Sequence, residues 1–152
     1  MWEKGPQMVN DDDHVRELLD LIRDKRLLAP DAFARERFDT IVSIYNGIGP
    51  EAWPQRYREW VTSILCRYEP EALIHDWEFV FQPKTYFSFT LANLRWACNS
   101  VIKAWHTHRC GGKLFWVDAG CGVACALFCQ LGGWQAYKTG KLPDNQKHQE
   151  DL

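Results

Sequence analysis

The chain has 152 residues, of which 46% are hydrophobic, 14% aromatic and 25% charged. That is enough apolar material for the core of one domain and too much for a disordered chain. Eighteen basic residues against twenty acidic ones leave a net charge of −2. No basic face can dominate such a composition, so no nucleic-acid partner is expected.

Helical periodicity runs along nearly the whole chain. Asp11, Asp12 and Asp13 offer caps and favourable charge for a helix over about residues 14–28, with Leu18, Leu19, Ile22 and Leu27 near helical spacing. Pro30 suits the first position of a second helix reaching about residue 45, with Phe33, Phe38, Ile41, Val42 and Tyr45 on its apolar side. Two glycines and a proline in Tyr45-Asn46-Gly47-Ile48-Gly49-Pro50 then predict a loop. Residues 51–68 are ambiguous, with Tyr57, Trp60, Val61, Ile64 and Leu65 favouring a helix. Glu69-Pro70 opens a clearer helix through about residue 82, ended by Pro83. A longer helix is predicted over 86–107, then a turn at Cys110-Gly111-Gly112, then an apolar helix over 114–131 before Gly132-Gly133.

These elements predict an all-α fold, a small multi-helix domain built around an antiparallel helix pair. Residues 1–140 form the domain, with N-terminal helices at 12–45, a loop and His-Asp core at 45–107, and a Cys-rich helix within 114–134. Residues 141–152 are polar and predicted to be a flexible tail. Met1-Trp2-Glu3-Lys4-Gly5-Pro6 has no basic segment followed by an apolar run, so no signal peptide is expected. The expected location is cytoplasmic, or outside after release without a classical signal, and the six cysteines are read as reduced thiols.

Several motifs are set aside. Val117-Asp118-Ala119-Gly120-Cys121-Gly122 looks like the glycine-rich loop of cofactor-binding methyltransferases, but only thirty residues follow it, too few for the rest of a doubly wound sheet. Residues 114–134 carry one acid and are long enough to span a bilayer, yet four glycines and three cysteines suit a buried core helix equally. Cys121, Cys125 and Cys129 share a helix face without metal-ligand spacing. His106, His108 and Cys110 cluster at a helix end, where solvation or terminal carbonyls satisfy such groups more often than a metal does.

Three pieces form a stronger set. They are the loop Tyr45-Asn46-Gly47-Ile48-Gly49, the helical Ile74-His75-Asp76-Trp77, and Ala92-Asn93-Leu94-Arg95-Trp96-Ala97-Cys98-Asn99 on the next helix. In this order they resemble the calcium-dependent phospholipase A2 superfamily, and most nearly its compact phage, viral and bacterial members. Those proteins have an Asn-Gly-x-Gly loop, an Ile-His-Asp-Trp helix and an Ala-Asp-x-x-Phe-x-x-Asn helix.

The resemblance implies that the backbone carbonyls of Tyr45, Gly47 and Gly49 and the carboxylate of Asp76 hold a calcium ion (Ca2+). It makes His75 the general base on a water attacking a phospholipid ester, with the Gly47 N–H at the oxyanion. Asn93 falls where the family places an aspartate that orients the histidine, and Phe79 where it often has tyrosine. The implied function is calcium-dependent ester hydrolysis at a phospholipid or membrane surface. The alternative is a catalytically decayed phospholipase-like scaffold acting as a phage or intracellular interaction protein. A third reading attaches the chain to a membrane through residues 114–134. The hydrolase requires His75 open to a cleft with the loop beside Asp76, whereas the scaffold expects the loop turned away, or His75 sealed by Phe79 and Trp96.

Overall fold

The computed structural model describes residues 11–45, 54, 56–57, 60–61, 65–109 and 112–139, and these contain helices and connecting turns but no strand. The N-terminal layer comprises α1 (Asp11–Asp24), α2 (Asp31–Ala34) and α3 (Phe38–Ile44). A 3-10 turn at Cys66–Tyr68 leads into α4 (Glu69–Phe81), followed by α5 (Tyr86–His108), α6 (Lys113–Gly132) and α7 (Trp134–Thr139). The all-α expectation therefore holds. The expectations for the loop at 46–50, for half of the helix at 51–68 and for the tail at 141–152 lie outside the described residues.

Two boundaries in the N-terminal layer differ from the sequence expectation, each for a local reason. Helix α1 stops at Asp24 rather than near Leu28, because Arg26 turns into the left-handed region at φ 52°. The Leu27 N–H donates to the Ile22 carbonyl at 2.9 Å and the Arg26 N–H to the Arg23 carbonyl at 3.1 Å. This is the Schellman closure, with Leu27 and Ile22 both buried in the adjoining core. The single helix expected over 30–45 is two helices, because Phe33 and Phe38 are five residues apart. On one continuous helix they would point about 140° away from each other. The extended residue Arg37 (φ −69°, ψ 140°) resets the phase, so that Phe33 is buried and Phe38 packs against the same cluster. The Trp77 indole N–H donates to Glu36 at 3.1 Å, tying this break to α4.

Helix α4 runs along both halves of the structure. On one side Leu73, Ile74 and Trp77 meet Val15, Leu18, Ile22, Phe33 and Ile41 from the N-terminal layer. On the other, Ala72 packs with Tyr68, Trp96 and Ala126. Helices α4 and α5 are antiparallel, pinned by the ion pairs Glu71–Lys103 at 2.6 Å and Glu78–Arg95. Buried Asn99 on α5 clamps the link after α1: its Oδ1 accepts the Leu28 N–H at 2.6 Å and its Nδ2 donates to the Leu28 carbonyl at 2.8 Å.

Helices α5 and α6 form a second antiparallel pair, the most extensively packed in the fold. Gly122 makes the approach possible, since a Cβ at that position would drive into the Ser100 side chain. Short α7 closes the open end, where Tyr137 is fully buried, donates to the Pro83 carbonyl at 2.8 Å, and packs with Phe79, Phe89 and Trp134.

A buried histidine–amide chain as the candidate site

His75 and Asn93 come together as the antiparallel pairing of α4 and α5 requires. Eighteen residues apart in sequence, they are joined by a 2.8 Å hydrogen bond between His75 Nε2 and Asn93 Oδ1. An amide oxygen only accepts, so His75 carries its proton on Nε2 and keeps its lone pair on Nδ1. Asn93 is held in that orientation from behind. Its Nδ2 donates to Gln130 Oε1 on α6 at 2.8 Å, and Gln130 Nε2 donates to Tyr86 Oη at 3.1 Å and Thr90 Oγ1 at 3.2 Å. The result is a one-way chain of donors and acceptors running from His75 through two amides to two hydroxyls near the start of α5.

The surroundings of His75 are apolar. The Phe79 ring lies 4.1 Å from the imidazole centroid and Trp96 meets it edge-on at 5.1 Å. The residue is 5% exposed. Burial pushes its pKa down from 6.5 to about 4, with the Asn93 hydrogen bond pulling the other way. At neutral pH the ring is therefore an uncharged, weakly basic core group. Asn99, the last residue of the third motif, is engaged with Leu28 rather than with His75.

Asp76 follows His75 on α4 and projects about 100° around the helix from it. It is half-buried, near Cys129 of α6. Burial, then the charges of Cys125 and Asp76, push the Cys129 thiol up to about 11. Of the calcium ligands implied by resemblance, Gly47 and Gly49 lie outside the described residues, as does the oxyanion donor role of Gly47. Tyr45 is present at the end of α3, where its hydroxyl donates to Glu69. His14 Nε2 binds the same Glu69 oxygen at 2.6 Å. Among the described residues no three His, Cys, Asp or Glu side chains gather around one point. Asp76 is thus the one described carboxylate of the implied set, and no calcium step follows from it.

The remaining motifs resolve plainly. Residues 117–122 lie within α6, so they form no strand-to-helix phosphate loop. His108 Nε2 binds Asp118 Oδ2 at 2.5 Å and Arg67 pairs with the same carboxylate. Although burial pulls the Asp118 carboxyl up, these partners hold it below its ordinary value. His106 is exposed, and Cys110 lies outside the described residues. A cavity of about 500 Å³ opens among α1, α2 and α3, lined by Leu19, Ile22, Leu27, Phe33, Phe38 and Ile41, with Arg23, Arg26, Ala29, Ala34 and Glu36.

Gln130 is the member of the chain that sequence reasoning missed. Its signal was present: it is the one amide side chain in the apolar run of α6, and a lone amide there needs an internal partner. No family model, no curated protein and no solved structure matches this chain.

Proposed function

We infer that this protein is a non-catalytic helical scaffold in which the His75–Asn93 pair is a structural element. The observation that carries this reading is the enclosure of His75 between Phe79 and Trp96, with its Nε2 proton committed to Asn93. A general base needs contact with an attacking water and a pKa near the working pH. A 5%-exposed imidazole with a pKa of about 4 suits neither requirement. It suits a core position, where a satisfied polar chain fixes how three helices pack.

One observation favours the hydrolase as a second reading. The Nε2–Oδ1 bond leaves Nδ1 with a free pair, the tautomer that the resemblance asks of a base. Fatty-acid release from mixed phospholipid vesicles, with calcium and with chelator, decides between them. The scaffold gives no release from wild type or from Asn93→Asp, while His75→Gln lowers the thermal midpoint. Calcium-dependent release that disappears in His75→Gln overturns the scaffold.

A further inference from the structure

Helices α5 and α6 present a broad apolar face that the described residues leave exposed. On α5, Phe87, Leu91, Leu94, Val101 and Trp105 are exposed at helical spacing. On α6, Leu114, Trp116, Val117, Leu127, Phe128 and Leu131 are exposed as well. The largest exposures belong to projecting side chains, Leu131 at 88%, Phe87 at 76% and Trp116 at 72%. Such an area exceeds the scattered apolar residues of an ordinary surface.

The charges are arranged to keep this face clean. The charged side chains of α5 and α6 between Phe87 and Leu131, within the helices, are Arg95, Lys103, Lys113 and Asp118. Arg95 and Lys103 turn inward to Glu78 and Glu71 of α4, and Asp118 is held by Arg67 and His108. Lys113 stands at the helix end. No exposed position from Phe87 to Trp105 or from Leu114 to Leu131 is charged within the two helices. The α5 and α6 helices are about 34 Å and about 30 Å long, comparable to the hydrocarbon thickness of a bilayer. By length and composition α6 alone could cross a membrane, and only 22% of its apolar window is buried inside the protein.

We propose that the α5–α6 face is a membrane-docking surface, lying in the plane of a phospholipid bilayer with its side chains in the acyl boundary. A bilayer fits better than a protein partner because the face projects large side chains and offers few polar groups. Protein interfaces carry about one hydrogen bond per 100–200 Å². Trp105 and Trp116, where the two helices turn, have the amphipathic character favoured at the headgroup level. The in-plane orientation follows from the opposite side of the fold. There α1 packs on α4 and exposes Asp12, Asp13, Glu17, Asp20 and Asp24. A transverse α5–α6 pair would draw those carboxylates into hydrocarbon.

The test is flotation with diether phosphatidylcholine vesicles, whose ether bonds resist hydrolysis and so separate binding from any esterase activity. Wild type is expected to float, to stay bound in about 1 M salt because the contact is apolar, and to be stripped by alkaline carbonate. The triple substitution Leu94→Gln, Phe128→Gln and Leu131→Gln should keep the helical circular dichroism, since all three sites are exposed, and reduce the bound fraction about tenfold or more. A folded, monomeric wild type that does not float overturns the proposal. So does a stable dimer that ignores vesicles and is dissolved by the triple substitution, which would assign the face to a second copy. Resistance to carbonate overturns the in-plane arrangement in favour of a span.

Discussion

His75 is neutral inside the protein and titrates in the unfolded chain. Its pKa is about 4 when folded against an ordinary 6.5. Because the folded value is the lower one, the unfolded state takes up the proton first as the pH falls. Stability from this site is complete above about pH 6.5 and is lost progressively down to about pH 4, by about 3 kcal/mol in total. Urea unfolding from pH 7 to 4 should show that slope, and His75→Gln should flatten it. Arg26 offers a second test at this scale. A non-glycine residue in the left-handed region costs roughly 1 kcal/mol, so Arg26→Gly should raise the thermal midpoint without altering the α1 boundary.

At the scale of elements, the helix pairings depend on two features of opposite character. The α5–α6 contact rests on the absence of a side chain at Gly122. Gly122→Ala forces α6 away from Ser100 and should destabilise by roughly 1–3 kcal/mol, an overpacking effect visible in thermal melts. The α4–α5 contact rests on buried charge. Glu78→Gln leaves the Arg95 guanidinium without its counter-charge in a side chain only 18% exposed, and should cost about 3 kcal/mol or more. Replacing both partners by Leu and Met should restore much of that loss, because apolar residues of similar volume often match a buried ion pair. A double-mutant cycle in urea measures the difference.

Across the whole molecule, the sequence shows the class of fold more readily than its interruptions. Apolar spacing announces the long helices from Glu69 onward, and Pro83 marks the break between α4 and α5. It does not announce the left-handed turn at Arg26, where glycine or asparagine would be the ordinary signal. The division at Arg37 is visible only once Phe33 and Phe38 are required to face one core. Within the candidate site, the closeness of His75 and Asn93 was legible, since antiparallel helices with a short connection bring them opposite each other. The sealing of His75 was legible only as a condition: Phe79 and Trp96 are in place to do it, but their rotamers belong to tertiary packing. Gln130 could not be paired with Asn93 until α6 was docked, because nothing local relates residues thirty-seven positions apart.

The polarity of the His75–Asn93–Gln130 chain also restricts how such a protein can change over generations. Asparagine at 93 offers an acceptor to His75 and a donor to Gln130. An ionised aspartate offers acceptors only, so it would confront the Gln130 oxygen with a second oxygen unless that amide turned over. Once turned, Gln130 gives up its donation to Tyr86 and Thr90, whose hydroxyls must then rotate to become donors. The orientation of the amide at 130 is therefore tied to the residue at 93. An acid at 93 would keep every hydrogen bond but reverse the direction of the chain from that position outward.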